Sequence, residues 1–305
     1  METEFVRWLR ERVPEHPLLS LGPGDDAAIL QWHQRADCVV TTDLVTDQVD
    51  FDIRSTPLDK VGRKALAVNL SDLAAMAAEP VAAVISLALP RQDALPIAKH
   101  LYEGILPLAE QWSVALAGGD TNCWSGPLAI SVTAIGRTTA AGALRRNGAK
   151  IGDEIIVTGD LGGSILGKHL DFVPRIEEAL RIHEHFAVHA GMDISDGLSL
   201  DLFRMMTESG CGAELDLAAI PISAAARKLA GNTGSAQTQL EHALSDGEDF
   251  ELLLAMSPEE TRRLLAQPPV TTPLTPIGRC IEERGLYAVG ADGRRTELTP
   301  RGYTH

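Results

Sequence analysis

A two-domain chain of mixed α/β (α+β) class is what this sequence predicts, on three observations. Its 305 residues exceed the size at which one hydrophobic core usually stops growing. Short apolar runs of strand length alternate with longer segments of helical character. A small, basic, turn-rich stretch, RTTAAGALRRNGAK at 137–150, interrupts that alternation and predicts a boundary between residues 1–137 and 138–305.

In the first half, ADCVVTTD (36–43) predicts a strand with a polar end. PLDKVGRKALAVNLSDLAAMAA (57–78) opens with Pro and is rich in Ala and Leu, which predicts a long helix. VAAVISLAL (81–89) predicts a buried strand, 95–112 a helix, and SVALAGGD and LAISVTAIG two further strands. The second half restarts with strand DEIIVTGD (153–160). Helices follow over 164–170 and about 197–209, with strands AELDL and FELLLAM and a closing hairpin around Ala291-Asp292-Gly293. The stretch 223–240 predicts a helix and then a loop, and no repeat of fixed period interrupts the pattern.

Composition narrows the functional classes. With 42 acidic against 27 basic residues the net charge is −15, which argues against nucleic acid or an anionic membrane as the main partner. An anionic small substrate stays compatible if cations mediate the contact. Four dispersed cysteines without a C-x-x-C pair predict reduced thiols and a cytoplasmic setting. The start, METEFVRWLRERVPEH, carries no signal-peptide core, and the longest apolar run is far too short to span a bilayer.

The chemistry is written in carboxylates. LGPGDDAAIL (21–30) sets Asp25 and Asp26 side by side after a Gly-Pro-Gly turn, where two like charges repel. Asp43 ends a strand, Asp120 ends ALAGGD, and Asp193 and Asp196 stand in GMDISDGL ahead of a helix. Asp72 lies within a helix whose surroundings are apolar, a position that disfavours both the residue and its charge. Each alone reads as a cap or a solvated strand end. Together they point to an all-oxygen ligand set, which selects Mg²⁺, Mn²⁺ or Ca²⁺, and Mg²⁺ completes its shell with water and substrate phosphates. The natural hypothesis is a multi-Mg²⁺ site that holds a polyphosphate.

GDLGGSILGKHL (159–170) is a near miss to a phosphate-binding loop: Gly162, Gly167 and Lys168 fit, but His169 stands where Ser or Thr is needed for Mg²⁺. The alternative is a glycine-rich helix entry whose N–H groups face an anion. Arg145 and Arg146 are the better phosphate-binding candidates, against a plain linker role. HEHFAVH (183–189) lacks metal spacing and is expected at the surface, and no nucleophile–His–Asp arrangement is recognisable.

Taken in order, GPGDDAAIL, TTD, NLSDLAAMAAEP, GGDT, RRNGAKIGD, DISDGLSLDL and DGEDFEL resemble the thiamine-monophosphate kinase family, over residues 20 to 305. That family belongs to the ATP-binding superfamily of aminoimidazole ribonucleotide synthetase. The resemblance implies the two-domain fold of that superfamily, N-terminal domains that pair through a shared β-barrel in a homodimer, and ATP bound in a cleft between the domains. It implies ATP-dependent phosphorylation of thiamine phosphate to thiamine diphosphate by direct in-line transfer, with several Mg²⁺ ions. By matched motif, Asp25, Thr41, Thr42, Asp43, Asp72, Asp120, Asp193 and Asp196 fall at Mg²⁺ positions. Tyr102, Gly119, Asp120, Arg146 and Ser195 fall at ATP positions. Glu248 and Tyr303 fall at substrate positions. Asp26 then shapes the turn.

No residue is assigned as a general base, because an acceptor phosphate with a second pKa of about 6 is ionised at neutral pH. Two positions depart from the family wording. Asp50 in QVDF replaces a histidine that contacts the substrate, and Asp246 replaces the Gly of GGEDYEL. For Asp50 two arrangements are open: a cation bridges it to the acceptor, or the loop turns it toward a basic residue. Two rival functions also stay open, a superfamily enzyme with a different phosphorylated acceptor and a non-catalytic dimeric nucleotide-binding protein.

Overall fold

Helix–helix contact through glycine sets the inner layer of the N-terminal half. A Cβ on Gly62 would stand 2.0 Å from the Leu101 carbonyl oxygen, and one on Gly104 would stand 1.7 Å from that of Asp59. Only glycine lets the two backbones come this close. The computed structural model describes residues 2–21, 29–32, 36–231, 236–290 and 293–304. The chain divides into two units, residues 1–73 with 78–138 and residues 74–77 with 139–305.

In the first unit the order is α1 (Glu2–Arg10), β1 (Leu19–Leu21), β2 (Ile29–Leu30), β3 (Cys38–Thr46), α2 (Leu58–Ala75), β4 (Ala78–Pro90), α3 (Ala94–Gln111), β5 (Ala115–Trp124) and β6 (Ala129–Thr138). The last four strands form one sheet in the order β3-β6-β4-β5, antiparallel except for the β4–β5 pair. Leu66, Leu70 and Leu73 of α2, Leu101 and Ile105 of α3, and Ile130 and Val132 of β6 are buried. The other sheet face is open: β3 alternates in burial, and Val40 and Leu44 are each 61% exposed. Strands 36–43 and 81–89 and helix 57–78 of the sequence reading fall on β3, β4 and α2, with ends shifted by a few residues.

The second unit runs β7 (Glu154–Thr158), a 3₁₀ turn (Ser164–Leu166), α4 (Lys168–Asp171), α5 (Ile176–His185), β8 (Val188–Asp193), α6 (Leu198–Ser209), β9 (Gly212–Asp216), α7 (Ala224–Ala230) and α8 (Gln239–Ser245). It closes with β10 (Leu252–Met256), α9 (Pro258–Ala266), β11 (Leu274–Ile281), β12 (Gly285–Val289) and β13 (Arg295–Glu297). Its seven-stranded sheet has the order β13-β12-β9-β11-β7-β10-β8. Leu198, Leu202, Met205 and Met206 of α6 pack on Ile155, Val157, Leu253 and Ile277 from that sheet.

Three expectations need correction. The segment 164–170 is not one helix: Gly167 (φ 139°) separates a 3₁₀ turn from a four-residue helix. Asp43 and Asp120 do not end their strands, because pairing with β6 carries β3 on to Thr46 and pairing with β4 carries β5 on to Trp124. The segment 223–240 starts with helix α7 as expected, and α8, opened by a Thr238–Glu241 capping box, begins only at Gln239. HEHFAVH is not uniformly surface, since His189 lies on β8 and its Nδ1 is 2.8 Å from Oδ2 of the buried Asp153. The closing hairpin exists as β12 paired with β13, while Ala291 and Asp292 at its tip lie outside the described residues. Among the described residues no helix is long and apolar enough to cross a membrane.

Candidate active site: an acidic group in each unit

In the first unit, strand alternation aims Thr41 and Asp43 at one face of β3 and Thr42 at the other. Helix α2 supplies Asp72, whose Oδ2 accepts the Thr41 hydroxyl in a short hydrogen bond. Burial, and then the negative charges of Asp72 and Asp50, push the Asp43 carboxyl up to about 6. Three carboxylates thus share one neighbourhood, joined by β3, α2 and the turn after β3. Thr42 instead donates to the Val132 carbonyl at 3.1 Å and accepts from the Thr133 hydroxyl at 3.1 Å.

Asp50 turns inward, but not onto a basic side chain. Its Oδ2 accepts the Thr46 main-chain N–H at 2.6 Å and the Thr46 hydroxyl at 3.3 Å. The neighbouring cation is engaged elsewhere: Arg54 pairs with Asp52 at 2.7 Å. The buried Lys64 ammonium donates to the main-chain carbonyl of Asp50 at 2.9 Å.

Asp120 stands apart from this group within the chain. Asp43 pairs across to Val132, Val132 to Ile85, and Ile85 to Gly119; Asp120 sits in the next row with Ser86, Ser131 and Leu44. Adjacent rows face opposite sides of a sheet. Strands β3 and β5 are the two edges, three strand spacings or about 14 Å apart. Gly119 lies tightly beside its β4 partner, where a Cβ would stand 1.8 Å from the Ile85 carbonyl oxygen. Tyr102 is buried on α3, its ring edge-on to Phe5 at 5.4 Å, and burial raises its phenol pKa. Asp25 and Asp26 lie outside the described residues.

In the second unit, distant sequence segments close around one turn. Asp193 ends β8, and Ser195 and Asp196 form the turn into α6. The DGEDFEL segment is laced to this turn: Ile194 N–H donates to Glu251 O at 2.8 Å, Phe250 N–H to Ile194 O at 2.8 Å and Glu248 N–H to Ser195 O at 2.7 Å. The C-terminal segment joins from the other side, with Tyr303 N–H donating to Asp196 O at 2.9 Å. Asp193, Ser195, Asp196, Glu248 and Tyr303 therefore come together, and Tyr303 keeps an exposed ring. Glu248 (φ 64°) and Phe250 (φ 50°) occupy the left-handed region that side chains disfavour. Stacking of Phe250 on Phe172, with centroids 3.9 Å apart, helps hold that segment.

Sequence reasoning missed the support beneath this turn. Asp201 is fully buried, and its Oδ2 accepts the N–H groups of both Ser195 (3.0 Å) and Asp196 (2.8 Å). Burial pushes its carboxyl up to about 6 against those hydrogen bonds. Arg204, one turn further along α6, donates through Nη1 to Asp201 at 2.8 Å and also pairs with Asp196. The available signal was spacing: Asp201 and Arg204 are i, i+3 on the helix that follows DISDG.

The glycine-rich loop after β7 is already occupied by the protein's own acids. Gly162 N–H donates to Asp249 and Gly163 N–H to Asp246, each at 2.8 Å. Asp246, the departure from the family wording, also meets the His242 ring at 3.0 Å. Lys168 and Arg175 both bind the buried Glu251. Arg145 and Arg146 are exposed, and among the described residues neither side chain has an ion-pair partner. The Arg146 carbonyl accepts the hydroxyl of Ser209, at the opposite end of α6 from Asp196, about 18 Å along a twelve-residue helix. Arg146 is thus not brought to the Asp196 turn within the unit. Among the described residues no three His, Cys, Asp or Glu side chains stand close enough together to hold a metal by themselves.

The two halves match the models of the AIR synthase related proteins, the N-terminal domain at residues 24–138 and the C-terminal domain at 150–290. Fold and acid pattern thus define a member of that two-domain class. The chain is 43% identical to the thiamine-monophosphate kinase of Rhodopirellula baltica, over 100% of this chain and 97% of that one. A crystal structure of thiamine-monophosphate kinase from Stenotrophomonas maltophilia K279a aligns with a TM-score of 0.82 and 35% identity, over 94% and 95% of the two chains. The structure described as AaThiL complexed with AMPPCP and TMP aligns with a TM-score of 0.78 and 28% identity, over 100% and 95%. The chain belongs to the thiamine-monophosphate kinase family.

Proposed function

We propose that this protein transfers the γ-phosphoryl group of ATP to thiamine phosphate, forming thiamine diphosphate. The observation that carries the reading is family membership over the whole chain at 43% identity. The acid groups fit the chemistry. An all-oxygen donor set in which Asp43 is destabilised as an anion by burial and then by Asp72 and Asp50 suits a hard divalent cation, with phosphate and water completing its shell. Thr41, Asp43 and Asp72 in one unit, and Asp193 and Asp196 in the other, would hold Mg²⁺, joined by Asp25, Thr42 and Asp120 as matched positions. Bound Mg²⁺ supplies charge neutralisation of the polyphosphate.

The chain's own residues then have positioning work. By matched position Ser195, Arg146, Gly119 and Tyr102 contact ATP. Glu248 and the exposed ring of Tyr303 orient the acceptor. The acceptor phosphate is itself the nucleophile and is ionised at neutral pH, so in-line transfer proceeds without a protein base.

A homodimer fits the open sheet face of the first unit, where Val40 and Leu44 would otherwise remain in water. The separation of Asp43 from Asp120 within one chain supports the same arrangement, since a second chain is a means by which carboxylates on opposite sheet edges can meet. The reaction's small charged substrates suit a cytoplasmic protein, and the domains divide near residues 137–138.

A coupled ADP-release assay with Mg²⁺-ATP and thiamine phosphate, with unphosphorylated thiamine as control, tests the reading. Turnover is expected with thiamine phosphate only. Equal rates with both acceptors, or none with either, would reject it. Sedimentation of the purified chain, with Leu44→Asp as comparison, tests the dimer.

A further inference from the structure

Asp196 carries a cation of the protein's own. One nitrogen of Arg204, Nη1, serves two carboxylates: it pairs with Asp196 Oδ2 and stands 2.8 Å from Asp201 Oδ1. The two partners differ in commitment. Asp201 has a fully buried side chain and gives its other oxygen to two main-chain N–H groups, so that contact is fixed. Asp196 keeps 17% of its side-chain surface exposed and Arg204 keeps 38%, so that contact is open to exchange.

We infer that Arg204 is a charge placeholder at Asp196: it neutralises that carboxylate in the metal-free chain, and a divalent cation must displace it from Asp196 while it keeps Asp201. The inference rests on the proposal that Asp196 is a metal ligand. It follows from electrostatics. A carboxylate beside another carboxylate repels it unless a positive charge intervenes. Arg204 supplies that charge without coordinating geometry, and a hard cation binding the same oxygens competes with it directly. The guanidinium is never stranded during the exchange, because Asp201 remains its partner. Arg204 thereby sets the threshold cation concentration at which the Asp196 position fills, acting as a positioning residue.

Mn²⁺ binding to the full chain, followed by the EPR signal of free Mn²⁺, tests this without turnover. Arg204→Met keeps the length of the apolar stem and removes the charge. It should bind Mn²⁺ about tenfold tighter at the position that Asp196→Asn abolishes, the size expected for a lost charge-assisted contact. Arg204→Lys, whose ammonium sits on a shorter stem and is more strongly hydrated than the guanidinium, should tighten binding by about threefold, and it carries the test if the methionine variant does not fold. Unchanged or weaker Mn²⁺ binding in both variants, with the Asp196→Asn loss still observed, overturns the placeholder and leaves Arg204 a purely structural brace. An Asp196→Asn chain that binds as the parent does overturns the ligand reading, and the placeholder with it.

Discussion

Lys168 and Glu251 form an ion pair of 2.7 Å inside the second unit, with Glu251 1% exposed. Lys168 is the residue that a phosphate-loop reading would aim at a nucleotide. Here it helps neutralise a buried carboxylate that Arg175 clamps through two nitrogens, at 2.7 and 2.8 Å, and that Thr158 also contacts.

Lys168→Ala is therefore expected to lower stability by about 1–2 kcal/mol, because Glu251 loses one of several partners and keeps the rest. The maximal rate should fall less than tenfold. Urea unfolding and steady-state rates check both. A loss of about 10³-fold in rate, the size of a missing transition-state charge clamp, would restore Lys168 to the phosphates.

Asp43→Asn and Asp72→Asn should each abolish turnover and leave the metal-free fold intact or slightly more stable. The pH dependence has a definite sign. Asp43 ionises near 6 in the folded chain and near 3.8 otherwise. Between those values the folded chain holds the extra proton, so stability falls as pH rises from about 4 to about 6 and levels off above. Asp43→Asn should flatten part of that slope in metal-free thermal melts. A part should remain, because burial also raises the carboxyls of Asp201 and Asp249. Near-normal activity of Asp72→Asn would remove the shared metal site.

Two substitutions separate the roles of Asp50. Asp50→Asn keeps an oxygen for the Thr46 N–H and removes a charge that disfavours the Asp43 anion. It should leave stability within about 0.5 kcal/mol and lower KM for thiamine phosphate with little change in kcat. Asp50→Ala loses the hydrogen bond as well and should cost about 1–2 kcal/mol. Asp50→His, which restores a donor, should lower the same KM. Variants with unchanged KM would show that Asp50 is a turn brace alone.

Arg146→Ala tests the exposed cation. Its side chain has no ion-pair partner among the described residues, so stability should change by less than about 0.5 kcal/mol while KM for ATP rises about tenfold. Arg145→Ala serves as the neighbouring control. An equal effect of both substitutions on KM would mean a diffuse field and no specific contact.

The sequence made the strand-and-acid grammar legible because it is local. The apolar run before Asp193 marks a strand that ends at its carboxylate, the run before Asp43 marks a strand that continues past it to Thr46, and the Ala/Leu spacing around Asp72 marks its helix. What stayed hidden depends on partners distant in the chain. Nothing near Gly162 announces that Asp249 takes its N–H, 87 residues away. Asp201 reads as an ordinary first-turn acid until its two main-chain donors are seen. The helix expected at 164–170 failed because three glycines, at 162, 163 and 167, adopt positive φ and break the pattern that Ile165 and Leu166 suggested. The opposite orientation of Asp43 and Asp120 followed from strand order, which no local spacing encodes.

The capture of Gly162 and Gly163 by Asp249 and Asp246 also bears on how such a chain can change over time. The loop differs from a phosphate cradle by very few letters, yet single substitutions toward one lead nowhere useful. Replacing His169 with Ser or Thr leaves both amides occupied by resident acids. Removing Asp249 alone strips an acceptor from Gly162 inside the protein, and removing Asp246 alone does the same to Gly163 and leaves His242 without its carboxylate. The three changes are useful only together, which places a valley between this loop and the common nucleotide-binding one. Single substitutions therefore do not open this loop to a phosphate, and its glycines serve as a structural joint closed by Asp249 and Asp246.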